Sequence, residues 1–473
     1  MLDKLRGFLT NDDDAAVLAL GSQPCRVTKP IRLAFDGRPI ELLLGKQKLH
    51  LRPEFGVAPE PGSDRKDWIL VDPKRFYSEV AGFERLKPGQ KILIGRANEQ
   101  LDKIFNFPKS VMKRHLTLAN KDGQIVLRPL DNETETYVSC VEDEGETDRL
   151  KDLNLKNLKK LRKIFGGPIE LLSPDEALAT IEQAVEILKD EPYRAKDSRG
   201  RPGGVLELPD KPTPIIVGDL HAEVDNLLKI LSVSQYLEGL ESGDAMLVLL
   251  GDMVHSQTQG ALEEMDSSLL MLDLIFKLKI RFPTRVFCLR GNHETLDESV
   301  GKAGVPQGLV LQQKAHALRG AKYVKRLAEC FELLPYVVKT DDFLATHAGP
   351  TRSSGTLQDF IDIRDHPQLA WQLTWNRLQR PTRPAGYTKK DVKTFRAKLG
   401  AEKHTPLIVS HTPMSFEGTL WTNVAEIKNH HVVYSANQDS LAVFVRLGRE
   451  MIPLEYPAEH IVEFANRLDV TAQ

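Results

Sequence analysis

Three short polar clauses carry the residues best suited to chemistry. They are Gly218-Asp219-Leu220-His221, Gly251-Asp252-Met253-Val254-His255 and Arg290-Gly291-Asn292-His293-Glu294. Each directly follows an apolar run: Pro214 to Val217, Met246 to Leu250, and Val286 to Leu289. Carboxylate and amide oxygens together with imidazole nitrogens suit divalent ions such as Mn, Fe or Zn, and a Gly in each clause lets the backbone turn sharply beside an ion. A lone Gly-Asp at a strand end is ordinarily a turn. Three such clauses in order read as one metal site. Two more histidines repeat the grammar: His347 follows Asp342 to Thr346, and His411 follows Pro406 to Ser410.

The apolar runs must position these groups. Short runs bounded by Gly read as buried strands, and in open sheets ligands bind where the strands end. The chain has 473 residues, which at roughly 150 per domain suggests two or three domains. An apolar fraction of 41% supports sizeable cores, and 27% charged residues fit a soluble protein. Lys+Arg 64 against Asp+Glu 66 is balanced, so bulk charge argues against a nucleic-acid partner. Cys25, Cys140, Cys288 and Cys330 are widely spaced and form no paired motif. Cys288 reads as a small core residue. A reduced, cytoplasmic setting is expected. Met1 to Asp14 is too charged for a signal peptide, and no apolar run approaches the roughly 18 residues of a membrane span.

Residues 1–66 read as an N-terminal extension with strands between Ile31 and Leu51, a turn at Asp36-Gly37, an acidic run at Asp12-Asp13-Asp14, and a loop from Pro59 to Lys66. Over 67–150 the pattern becomes short strands: Trp68 to Val71, Lys91 to Ile94, His115 to Leu118, Gln124 to Leu127 and Thr136 to Val138. Such spacing suggests a β-sandwich. Residues 151–204 read as a helical linker, with a helix from Ser173 to Asp190 that opens on Ser173-Pro174-Asp175-Glu176. The basic run Lys156, Lys159, Lys160, Arg162, Lys163 reads as a solvated face. Asp197 to Gly204 reads as the entry to a catalytic domain over 205–473.

The polar clauses resemble the metallophosphoesterase superfamily, and within it the phosphoprotein phosphatases specific for serine and threonine. The likeness runs over about 205–458. It includes the segment Asp225 to Leu231 after the first clause, the loop Leu373-Thr374-Trp375-Asn376, and the closing loop Tyr434-Ser435-Ala436-Asn437. It implies an α/β domain built as a four-layer αββα sandwich. It also implies two divalent metal ions held by Asp219, His221, Asp252, Asn292, His347 and His411, with Asp252 bridging. Metal-activated water would attack phosphorus in line, His293 would protonate the leaving alkoxide, and Arg290 and Arg383 would hold the phosphate. One departure stands out. The second clause of this family has Asp and then Arg where this chain has His255 and Ser256. An imidazole at 255 accepts a bond from His293 only when neutral, and the missing Arg removes one charge-assisted clamp. With the six ligand positions matched and these two changed, the expectation is an active enzyme that prefers good leaving groups, or uses another acid such as Glu294 or Asp297.

Within the sandwich, Ile94-Gly95-Arg96 and Ser110 to His115 resemble a forkhead-associated (FHA) domain, a module that binds phosphothreonine peptides. Arg96 and Lys113 match its basic positions, and Thr134 stands where it has a peptide-gripping Asn. Met112 stands where it has a phosphate-binding Ser, while His115 would brace the loop. Without those donors the sandwich reads equally as a docking or packing module. The leading expectation is therefore a metal-dependent phosphatase acting on a phosphoprotein or phosphopeptide, with an FHA-like module for a phosphothreonine partner. A second reading is a small-molecule phosphoesterase, for example of dinucleotide polyphosphates. A third is a non-catalytic scaffold.

Overall fold

A computed structural model of the chain describes residues 15–33, 38–54, 56–57, 66–76, 78–130, 135–141, 145–352, 355–415 and 418–468. The expected acidic run at 12–14, the turn at Asp36-Gly37, nearly all of the 59–66 loop, and Thr134 lie outside the described residues. The chain divides into two compact units, Met1–Leu155 and Lys156–Gln473. Among the described residues no helix is long and apolar enough to cross a membrane.

The first unit holds two sheets. One has five strands in the order Ala16–Leu18, Ile31–Leu33, Gln124–Pro129, Leu116–Lys121, Lys91–Ile94. The other has six: Cys25–Arg26, Thr136–Cys140, Ile40–Leu44, Gln47–Pro53, Trp68–Val71, Phe83–Leu86. Strands of 16–53 thus pair with strands of 68–140, so the expected boundary at 66 cuts through both sheets. The alternation over Ile40–Leu44, with residues 40, 42 and 44 buried, shows why: one face of each early strand is apolar and needs a partner layer.

The second unit also has two sheets. A five-stranded sheet runs Val286–Cys288, Ala245–Leu249, Thr213–Val217, Ser440–Leu447, Glu450–Pro457. A seven-stranded sheet runs Arg194–Lys196, Pro202–Glu207, Val337–Lys339, Leu344–Thr346, Leu407–Val409, His430–Val433, Leu420–Trp421. Ile216, Val248, Phe287 and Phe444 from the first meet Leu206, Val338, Ala345 and Ile408 from the second in one buried cluster. On the outer face of the seven-stranded sheet, Val205, Leu344 and Leu407 pack against Phe360, Leu373 and Phe395 of helical segments. The helix Asp266–Arg281 covers the strand Val286–Cys288 of the other sheet.

Nearly all of the expected linker, from Lys156 on, belongs to this unit. The helix Pro174–Lys189 buries Ala177, Ile181, Ala184, Val185 and Leu188 and packs on the helices Asp266–Arg281 and Gln307–Leu333. Pro202–Glu207 is a strand, despite its Pro-Gly-Gly opening. A side chain at Gly204 would collide with the Phe360 carbonyl, so the glycine serves a close backbone approach and not a break. In the basic run, Arg162 is buried and donates to the Leu468 carbonyl, and Lys160 pairs with Glu241 at 2.6 Å. That face is not simply solvated.

Candidate metal centre

Strands Thr213–Val217, Ala245–Leu249 and Val286–Cys288 are parallel neighbours. Their ends deliver the three polar clauses to one edge. Leu344–Thr346 and Leu407–Val409 are likewise parallel neighbours and deliver His347 and His411. The clauses are pinned to one another by backbone bonds. Leu220 and His221 N–H both donate to the Asp252 carbonyl, at 3.1 and 2.8 Å, and Ser410 N–H donates to the His347 carbonyl at 2.8 Å. His221, Asp252, His255 and His411 all have positive φ (43°, 50°, 67° and 66°), a backbone region costly for residues with a Cβ and common at functional sites. Gly291 has no room for a side chain, which would strike Asp252 Oδ1.

Asp252 is the hub. Its Oδ1 accepts from His293 N–H at 2.9 Å. Its Oδ2 lies 3.3 Å from His347 Nε2 and 3.9 Å from His221 Nε2. His347 Nε2 is also 3.2 Å from Asn292 Oδ1 and 3.2 Å from His411 Nδ1. Asp219 Oδ2 lies 3.7 Å from His221 Nε2, and its Oδ1 accepts from Ser410 Oγ. Two trios could each hold an ion, His221/Asp252/His293 and Asp252/His347/His411, and Asp252 is common to both. The six residues expected as ligands are thus brought together, but one oxygen of Asp252, not two, faces both trios.

The donor set fits cations on its own chemistry. Asp219 and Asp252 are 1% exposed yet, among the described residues, lack a neutralising Arg or Lys bond, and His411 Nε2 is buried without a hydrogen-bond partner among them. Burial alone would raise the Asp252 pKa, but the nearby His347, His293 and His221 hold it well below the usual carboxylate range. Burial raises Asp219. Burial would lower His347, yet Asp252 and Asp219 push it up to about 9. Buried carboxylates here demand positive charge.

His293 Nδ1 stands 3.0 Å from His255 Nδ1. Burial lowers His293 to about 4 and His255 well below its ordinary value. Glu294 does not face the cavity as an acid. Its carboxylate accepts from the N–H groups of Asp252, Met253 and Gly291, each at 2.8 Å. Asp297 accepts from Ser299 N–H at 2.7 Å in its own turn.

A cavity of about 540 Å³ opens over this floor. The basic side chains among its described lining residues are Lys302, Arg377 and Arg380. The two arginines expected from sequence, Arg290 and Arg383, are not among them. Burial lowers the Arg377 pKa first, and the charge of nearby Arg383 second. Sequence reading missed Arg377, Arg380, Lys302 and Gln257. Tyr434 lines the cavity, its ring 6.0 Å from that of His221. Trp375 ends a helix, Pro367–Trp375, where a loop was expected, and its ring lies 6.0 Å from that of His411.

In the first unit, Arg96 Nε donates to the Val111 carbonyl at 2.7 Å, while Met112 and Lys113 are exposed. His115 is buried. Its Nδ1 accepts from Met112 N–H at 3.2 Å, which leaves Nε2–H to donate to Thr136 Oγ1 at 2.9 Å. It ties the loop to a strand.

Residues 213–436 match the calcineurin-like phosphoesterase family. A serine/threonine-protein phosphatase 7 long form homolog of Arabidopsis thaliana is 28% identical over 143 residues, 30% of this chain and 10% of that protein. An uncharacterized protein of Caenorhabditis elegans is 30% identical over 129 residues, 26% of this chain and 42% of that one. The chain thus spans less than half the length of these relatives. Among solved structures, a protein serine/threonine phosphatase from Saccharomyces cerevisiae with similarity to human phosphatase PP5 aligns at 18% identity, TM-score 0.46, over 61% of this chain and 91% of that one. A cold-active protein-tyrosine phosphatase of a psychrophile Shewanella species aligns at 13% identity, TM-score 0.38, over 54% and 82%.

Proposed function

We propose that this chain, whose residues 213–436 match the calcineurin-like phosphoesterase family, is a metal-dependent phosphoesterase and, within that class, a serine/threonine phosphoprotein phosphatase. The observation that carries the reading is the sharing of Asp252 Oδ2 between the His221 and His347 sides of one buried floor. Asp219, His221 and Asp252 would hold one divalent ion, and Asp252, Asn292, His347 and His411 the other. Two such ions would supply a hydroxide near neutral pH and charge to neutralise phosphate oxygens. Serine/threonine specificity is supported by the Arabidopsis relative's name.

The chain's own residues do the rest. Arg377, half-buried in the cavity wall, binds the phosphate. Arg290 and Arg383, assigned to that task by the family resemblance, are not among the described lining residues of the cavity. His293 serves the leaving oxygen, with its orientation set by His255. Glu294 fixes the backbone of the second and third clauses and so the position of Asp252. In the first unit, the FHA-like reading assigns phosphothreonine binding to Arg96 and Lys113, supported by the His115 brace.

The test is a substrate panel with the Mn-loaded full chain: phosphoserine and phosphothreonine peptides against dinucleotide polyphosphates, with Asp252→Asn as control. Peptide turnover lost by at least about a thousandfold in Asp252→Asn is the expected result, since Asp252 would hold both ions that supply the hydroxide. Turnover of the nucleotides alone favours the small-molecule reading. Phosphothreonine peptide binding to the full chain, weakened by Arg96→Ala, tests the first unit.

A further inference from the structure

The cavity has more positive charge than one phosphate needs. The only carboxylates among its described lining residues are Asp219 and Asp252, both on the floor, where bound cations would offset them. Arg377 is half-buried, but Lys302 and Arg380 are exposed at the mouth. Each is held on a closed turn. Lys302 and Val305 exchange both backbone hydrogen bonds, at 3.1 and 2.9 Å, and so do Arg380 and Arg383, at 3.1 and 2.8 Å. Lys302 Nζ donates to the Gln257 carbonyl at 3.1 Å, on the side of His293. Arg380 Nη2 lies 2.6 Å from Met414 Sδ, on the side of His411. Two cations therefore stand at the mouth, Lys302 on the side of His293 and Arg380 beside Met414.

We propose that Lys302 and Arg380 select phosphoserine and phosphothreonine segments whose neighbouring residues are acidic. This rests on the phosphoprotein reading above. With Arg377 on the scissile phosphate, the two outer cations are left for a second and third anion. A cleft lined by one sign of charge concentrates ligands of the other sign and rejects its own. Acidic side chains fit better than the charges of a nucleotide. Among the described lining residues Tyr434 is the one Phe, Tyr or Trp, and its ring lies 6.0 Å from that of His221, so the lining offers a base little aromatic surface to stack on.

The experiment compares two phosphoserine peptides of one sequence, one with Asp and Glu flanking the phosphoserine and one with Lys. Values of kcat/KM are measured for the wild type, Lys302→Glu, Arg380→Glu and the double variant. The wild type is expected to favour the acidic peptide by about tenfold. Each reversal should shrink the ratio by about threefold, as for exposed charge pairs, and the double variant should abolish or invert it. Raising ionic strength from about 0.05 to 0.5 M should shrink the wild-type ratio. The ratio is taken within one preparation, so partial loss of folded or metal-loaded protein cancels. Equal wild-type turnover of both peptides, or a ratio the double variant leaves unchanged, overturns this inference while the phosphoprotein reading stands. Failure on both peptides with turnover of a nucleoside polyphosphate overturns both.

Discussion

His255 Nδ1 lies 3.0 Å from His293 Nδ1, so a single proton is shared between two imidazoles where related phosphatases are expected to place a carboxylate. Burial keeps both rings neutral near pH 7: His293 falls to about 4 despite Asp252, and His255 lies well below its ordinary value. His255 Nε2 is buried without a partner. An orphaned buried N–H is costlier than an idle lone pair, which puts the His255 proton on Nδ1. His255 then donates, His293 Nδ1 accepts, and His293 carries its proton on Nε2 as a neutral and therefore weak acid. A carboxylate at 255 would instead accept from His293 and favour its charged form. His255→Asp is expected to raise kcat/KM for a phosphoserine peptide relative to 4-nitrophenyl phosphate by about tenfold, one pKa unit or more of tuning. An unchanged ratio would remove His255 from the leaving-group problem.

Arg377 tests where the phosphate is gripped. It lines the cavity, whereas Arg290 and Arg383 do not. Charge-assisted hydrogen bonds contribute about 1.5–3 kcal/mol. Arg377→Met should therefore raise KM for 4-nitrophenyl phosphate by about tenfold or more, and Arg290→Met or Arg383→Met by much less. The three variants can be compared by steady-state kinetics in one metal-loaded series. A larger effect at Arg290 would return the clamp to the position suggested by family resemblance.

What could be read from the sequence follows from periodicity. Strands such as Ala245–Leu249 are uninterrupted apolar runs closed by a short polar clause, so Asp219, Asp252, Asn292, His347 and His411 all announced themselves at strand ends. Arg377, Arg380 and Lys302 sit in irregular turns. Nothing local distinguishes them from Arg383 or Arg290, and only the folded backbone decides which ones reach the cavity. Pro202–Glu207 was hidden for another reason: its Pro-Gly-Gly reads as a breaker, while the glycine at 204 answers to the Phe360 carbonyl in a distant segment. Helix Pro174–Lys189 was legible as a helix but not as part of the second unit, because its partners lie about a hundred residues onward in the helices Asp266–Arg281 and Gln307–Leu333.

Glu294 shows how one buried carboxylate fixes two clauses. Its Oε2 accepts from both Asp252 and Gly291 N–H, and its Oε1 from Met253 N–H. In Glu294→Gln one of these oxygens becomes an NH2 group, which faces a backbone donor and leaves at least one buried N–H unpaired. The cost is about 1–3 kcal/mol, measurable as a lower denaturation midpoint. Because the least costly orientation puts the NH2 against Met253 N–H, the clause that carries Asp252 loses a tether next to it, and Mn affinity should fall as well. Lost stability with unchanged Mn affinity would mean that the clause is held in place by other bonds.

His347 links cation binding to pH. Burial opposes its charge, but Asp252 at 3.3 Å and Asp219 at 3.6 Å raise its pKa to about 9 in the ion-free site. A raised folded value means that the ion-free protein gains stability from this group below the unfolded pKa of about 6.5. That gain disappears as pH rises through about 9. A cation must displace the same proton, because only neutral imidazole is a ligand. Affinity for Mn should therefore rise roughly tenfold per pH unit from about pH 7 and level off near the His347 value. Calorimetric titration near pH 7 in buffers of different ionisation enthalpy should register release of close to one proton from this site, and His347→Asn should abolish that release together with the steep part of the pH dependence. A buffer-independent heat near pH 7 would mean that the two carboxylates carry their charge without borrowing it from His347.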